Sequence, residues 1–131
     1  MPLITWTKEQ HGTDVSFADE QHKKLFDLLN ILHDVIPGGD KNAVTTNLDN
    51  LLNYVVEHFD EEERQMKEKN YSGFDEHKAQ HDKLLADCGS LKNKFLAGEQ
   101  EITTESTTFI KDWLDVHIPN TDRLYTPVLN G

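Results

Sequence analysis

The chain has 131 residues and a formal net charge of -11, with 13 Lys and Arg against 24 Asp and Glu. This length suits one domain with a real core, and the acidity argues against nucleic acid, whose binding needs basic groups to displace counterions. Apolar runs such as Leu84-Leu85-Ala86 and Phe95-Leu96-Ala97 are too short for a membrane span.

Residues 1–16 form an arm that contains Trp6 and is expected to lie along the folded body. It lacks a basic start followed by an apolar stretch, so no secretory leader is expected. The single cysteine, Cys88, permits no internal disulfide and fits a reducing cytoplasm. Breakers at Pro37-Gly38-Gly39, Asn70-Tyr71-Ser72-Gly73 and Gly98 divide the remainder. Four helices are expected, roughly 17–36, 41–69, 74–97 and 104–118, followed by a turn and tail, 119–131. Ser16-Phe17-Ala18-Asp19 and Ser72-Gly73-Phe74-Asp75 read as capping boxes at two of the starts.

Each segment carries a stripe stepping by three and four. The first holds Ala18, His22, Leu25, Leu29, Leu32 and Ile36. The second holds Val44, Leu48, Leu51, Val55, His58 and Glu62, and the third Phe74, His77, His81, Leu84, Cys88, Leu91 and Phe95. The fourth shows Phe109, Ile110, Trp113, Leu114 and His117. No segment alternates at period two, which argues against strands. The expected fold is all-α: one domain, an up-down-up-down antiparallel four-helix bundle with an N-terminal arm.

A stripe that faced only a core would be apolar. Here His22, His58, Glu62, His77, His81 and His117 interrupt it, and a polar group in such a place needs a partner. One alone would be an ordinary satisfied core histidine. Six spread over all four helices would be satisfied together around metal. His77 and His81 are four apart, about 6 Å along one helical face, a spacing that lets two imidazoles ligate one ion. His58 and Glu62 repeat that spacing, and of the acidic run Asp60-Glu61-Glu62-Glu63 only Glu62 continues the stripe.

Asp122 lies five after His117, an offset of about 140° in a regular helix. Pro119 stands between them and disturbs the helix, so a kink or π-like turn is expected to bring Asp122 inward. Five imidazoles and two carboxylates exceed a tetrahedral zinc site and overfill one octahedral ion. They fit two ions sharing two bridging carboxylates. Calcium and magnesium would not recruit imidazole; iron suits this donor set, as do copper, nickel and zinc by affinity. His33, about 16 Å from His22 along the axis, and His11, off any stripe, are assigned to structure or surface. Cys88 reads as a small buried hydrophobe.

The segments Asp19-Glu20-Gln21-His22-Lys23-Lys24-Leu25-Phe26, His58-Phe59 with Glu62, His77-x3-His81 and His117-Ile118-x3-Asp122 resemble the hemerythrin signature over the whole chain. The arm with Trp6 resembles the bacterial branch of that family. The resemblance implies a non-heme centre of two iron ions with an oxo or hydroxo bridge. His77, His81 and His117 would bind one iron, His22 and His58 the other, and Glu62 and Asp122 would bridge both. Oxygen would bind at the open position of the second iron and be reduced to hydroperoxide as both irons become ferric. Leu25, Phe59, Trp113, Leu114 and Ile118, beside the ligands, would line a dry oxygen pocket or simply pack the core.

The function so implied is reversible O2 binding for storage or delivery, without catalysis, by a cytoplasmic protein favoured as a monomer. An oxygen-consuming enzyme would receive the gas; nucleic acid and membrane insertion are not expected. One alternative is an oxygen or redox sensor; a fused signalling domain would support it, none is expected within these 131 residues, and a partner would then receive the signal. Another is a di-iron enzyme handling peroxide or nitric oxide, or oxidising iron. The absence of Glu-x-x-His, the ferritin-like motif, argues against oxidation catalysis. Iron storage is disfavoured because seven committed ligands hold only two ions.

Overall fold

The computed structural model describes residues 2–130, and every regular element among them is helical. Helix α1 (Lys8–His11) is a single turn in the arm, capped by Thr7, whose side chain accepts from the Gln10 N–H. Helix α2 (Ser16–Val35) runs into a 3-10 turn, Ile36–Gly38, which Gly39 ends in the left-handed region at φ 72°. Helix α3 (Lys41–Glu68) starts at Asp40, whose carboxylate accepts from the Asn42 and Ala43 amides. Helices α4 (Phe74–Leu96) and α5 (Thr104–Asn120) follow. A 3-10 turn, Asp122–Tyr125, and the short α6 (Thr126–Leu129) close the chain. The fourth helix of the bundle thus runs two residues past 118, and the turn and tail beyond it hold the 3-10 turn and α6.

The capping boxes expected at Ser16 and Ser72 do not form. Ser16 is already inside α2 and Val15 occupies the cap; the Asp19 carboxylate instead accepts from both the N–H and the hydroxyl of Thr13, each at 2.8 Å. At α4 the cap is Gly73, so Ser72 lies one residue too early. A true capping box stands at α5, where Ser106 Oγ accepts from the Thr103 N–H and Thr103 accepts from the start of the helix.

α2 packs on α3, α3 on α4, and α5 returns to α2, which gives the all-α up-down-up-down bundle. The stripes explain the packing: Ala18, Leu25, Leu29, Leu32, Val44, Leu48, Leu51, Val55, Leu84, Cys88 and Phe95 are all buried. Each large one contributes about 1.5–3 kcal/mol of transfer free energy. Phe109, placed by spacing on the fourth stripe, is 47% exposed and faces outward. The arm lies along α2. Ile4 pairs its N–H and C=O with the Asn30 side chain at 3.0 and 2.9 Å. Trp6 packs against the main core, with the Lys23 ammonium 4.4 Å from its ring.

The buried apolar side chains form two clusters. The larger runs through Leu25, Leu29, Leu48, Phe59, Leu84 and Ile118. The smaller comprises Val15, Ala18, Met66 and Tyr125. In α2, α3 and α4 the buried residues that fall between the two are histidine or glutamate. No helix among the described residues is long and apolar enough to cross a membrane.

Candidate metal centre

The layer between the clusters holds every polar residue that interrupts the stripes. His22 sits in α2 between Ala18 and Leu25; His58 and Glu62 alternate with Phe59 and Met66 in α3; His77 and His81 precede Leu84 in α4; His117 lies near the end of α5. Asp122 opens the 3-10 turn beyond it. All seven are buried, none more than 4% exposed.

The two carboxylates divide their oxygens between two sets of imidazoles. Glu62 Oε1 lies 3.2 Å from His81 Nε2 and 3.7 Å from His77 Nε2, while Oε2 lies 3.4 Å from His58 Nε2 and 3.6 Å from His22 Nε2. Asp122 Oδ1 lies 2.9 Å from His117 Nε2 and 3.0 Å from His77 Nε2, with Oδ2 3.1 Å from His22 Nε2. Two ligand groups result: Glu62, His77, His81, His117 and Asp122 in one, and His22, His58 and Glu62 in the other. Within each, the ligand atoms lie within 4.8 Å of one another.

These short distances are not aligned as hydrogen bonds. Among the described residues, Nε2 of His77, His81 and His117, Oε1 of Glu62 and both oxygens of Asp122 are buried without a hydrogen-bond partner. Each such atom costs about 1–3 kcal/mol if nothing satisfies it. Lone pairs that converge on a shared space, rather than on each other, are what a cation demands. The donor set of imidazole and carboxylate fits iron.

Three imidazoles are turned toward that space by bonds on their far side. His58 Nδ1 meets Gln21 Oε1 at 2.6 Å, His81 Nδ1 meets Glu63 Oε2 at 2.8 Å, and His117 Nδ1 meets Gln80 Oε1 at 2.8 Å. Each partner is an acceptor, so Nδ1 carries the proton and Nε2 keeps its lone pair for the interior. Tyr125 Oη donates to Glu62 Oε2 at 2.7 Å from a fully buried position. Sequence reasoning missed Gln21, Glu63, Gln80 and Tyr125. One signal was available: glutamine directly precedes histidine at Gln21-His22 and again at Gln80-His81, which puts an acceptor beside a ligand but facing the neighbouring helix.

Burial penalises a charged imidazole at His22 and His77, but Asp122 and Glu62 beside them outweigh that and hold both pKa values up at about 9. At His58 burial wins and the pKa falls. Burial opposes the charge on Glu62 too, yet the surrounding histidines keep its carboxyl well below the ordinary range. Tyr125 is pushed well above the ordinary phenol, by burial first and the Glu62 and Asp122 charges next.

Asp122 comes inward, but not through a π-like turn. The helix stops at Asn120, Thr121 takes φ -115° and ψ -52°, and the chain tightens into the 3-10 turn. That break removes the offset a regular helix would impose. Of the expected pocket residues, Leu25, Phe59, Leu114 and Ile118 are buried in the main core. Phe59 stacks on His81 with ring centroids 3.7 Å apart, and the half-buried Trp113 stacks on His117 at 4.1 Å.

The histidines set apart from the site lie outside it. His33 Nδ1 is 2.8 Å from Thr107 Oγ1. His11 is buried although it lies off every stripe: its Nδ1 accepts from the Thr7 N–H at 3.1 Å, which leaves Nε2–H to donate to Asp115 Oδ1 at 3.0 Å. Cys88 is a buried free thiol whose pKa burial pushes up to about 11.

A bundle of four helices around five histidines and two shared carboxylates defines a di-metal protein of the helical class. The family model for the hemerythrin HHE cation binding domain matches residues 13–129, and the chain belongs to the hemerythrin family. It is 48% identical to the bacteriohemerythrin of Methylococcus capsulatus (Bath) over 131 residues, the whole of both chains. It is 32% identical to the bacteriohemerythrin of Stenotrophomonas maltophilia over 95% of this chain and 80% of that one. A crystal structure of wild-type hemerythrin matches with a TM-score of 0.97 and 48% identity, over 98% of this chain and 99% of that one.

Proposed function

We propose that this protein binds molecular oxygen reversibly at a non-heme di-iron centre, for storage or delivery. His77, His81 and His117 would hold one iron and His22 and His58 the other, with Glu62 and Asp122 spanning both. The observation that carries this reading is that each carboxylate offers one oxygen to each set of imidazoles. The two sets of imidazoles are unequal, three against two, so the smaller set would leave room for an added ligand. When bound, the iron pair supplies electrons that dioxygen borrows and returns.

The chain's own residues support a carrier rather than a catalyst. Leu25, Phe59, Leu114 and Ile118 are buried apolar groups with no proton to give. Tyr125 keeps its proton on the hydrogen bond to Glu62. These groups would offer the centre no proton, and O–O cleavage requires one. The reading extends to a cytoplasmic monomer that hands oxygen to an oxygen-consuming enzyme; the charge of -11 opposes self-association.

The test is spectroscopic. Oxygen added to the anaerobic iron-loaded protein should produce a visible band that argon purging removes, over repeated cycles. Irreversible bleaching, or steady consumption of an added reductant in air, would favour a sensor or an enzyme.

A further inference from the structure

Six of the seven ligand candidates stand on long helices, whose hydrogen bonding fixes each Cα. Asp122 does not. It follows the end of α5, in a 3-10 turn that begins after Thr121, whose φ of -115° departs from the regular helix. Neither of its carboxylate oxygens has a hydrogen-bond partner among the described residues. Charge attraction to His22, His77 and His117 draws the carboxylate inward, but the course of the main chain beneath it is set by its neighbours in the chain.

Those neighbours are tied on both sides. Thr121 Oγ1 donates to Gln80 Oε1 at 3.0 Å, the same oxygen that accepts from His117 Nδ1. On the other side Arg123 reaches across to the N-terminal arm. Its Nε donates to the Gly12 carbonyl at 2.9 Å and its Nη2 donates to the Glu9 carbonyl. Further along, Thr126 Oγ1 donates to the Thr13 carbonyl and Asn130 Nδ2 donates to the Asp14 carbonyl at 2.8 Å. The arm is itself anchored: His11 and Gln10 bond Asp115 on α5, and Thr13 bonds Asp19 on α2.

We propose that Arg123 is a positioning residue for the metal centre, and that residues 9–12 of the arm are its anchor. The guanidinium fork holds two backbone carbonyls at once, which fixes the direction of the main chain at the residue next to Asp122. The carboxylate is then aimed at both histidine sets before any ion arrives. Pre-placement of this kind is how residues beyond the ligands raise metal affinity. The proposal rests on the ligand reading above.

The test titrates Co2+, whose visible spectrum reports coordination, into the full metal-free chain without oxygen. The parent should take up two Co2+ per chain. Arg123→Ala should bind Co2+ about 10–100-fold more weakly and show an altered visible spectrum. Asn130→Ala also removes an arm contact, but eight residues from Asp122, and should match the parent in both. If the alanine chain does not fold, Arg123→Gln, which keeps a stem but cannot reach both carbonyls, gives the same reading. A parent that binds two ions alongside an Arg123→Ala or Arg123→Gln chain that matches it overturns the tether alone. An Asn130→Ala chain weakened as much as the Arg123 variant also overturns it, because loss of the arm in general would then explain the effect. A parent that binds no Co2+ defeats the ligand reading and the tether with it.

Discussion

Gln80 carries two jobs on one oxygen, holding His117 Nδ1 and the Thr121 hydroxyl together. Gln80→Ala should weaken ferrous-ion affinity by about 10–100-fold with little loss of helix content; a chelator-competition titration checks it, and unchanged affinity would dismiss the role. A second prediction concerns protons. In the metal-free chain His22 and His77, held at about 9 by Asp122 and Glu62 against the opposing effect of burial, are charged at neutral pH. A histidine whose folded pKa is raised stabilises the fold fully below its unfolded value, and that stability is lost as pH rises through about 9. Metal needs the neutral ring, so affinity should climb from pH 6.5 toward 9. Loading at pH 7.5 should release protons, those of His22 and His77 among them, read from the buffer dependence of the calorimetric heat; no release would contradict these shifts.

Among the elements, the four long helices were legible because a three-and-four stripe has one physical meaning. A helix buries one face, and Leu29, Leu48 and Leu84 lie where that rule puts them. Leu29→Ala should cost about 2–5 kcal/mol by opening a cavity, measured by urea denaturation. His22, His58, Glu62, His77 and His81 were legible by the same rule, as polar residues at core positions. Asp122 was legible only in part: Pro119 signals a disturbance, but whether the chain then kinks, bulges or tightens depends on tertiary contacts such as Arg123 to Gly12. Gln21 and Tyr125 were not read because their bonds join residues 37 and 63 apart in sequence, and no local period encodes such a pairing. The arm was read as lying along the folded body, as Ile4 on Asn30 shows. His11, assigned to structure or surface, is a buried joint to α5, and His11→Ala, by orphaning the Thr7 N–H and removing one partner of Asp115, should lower stability by about 1–3 kcal/mol.

Taken whole, the molecule is two apolar clusters parted by a polar layer. The clusters supply the folding free energy; the layer withdraws part of it unless an ion satisfies the converging lone pairs. Metal should therefore stabilise the fold strongly, by about 4 kcal/mol when free metal stands a thousandfold above its dissociation constant. Removing it should lower the melting temperature without abolishing helical structure, since both clusters remain. The most direct measurement is the iron content of protein reconstituted without oxygen and freed of loose metal. Two iron atoms per chain are expected, falling in His117→Ala and unchanged in His33→Ala. A parent that retains one iron or none would contradict the paired centre.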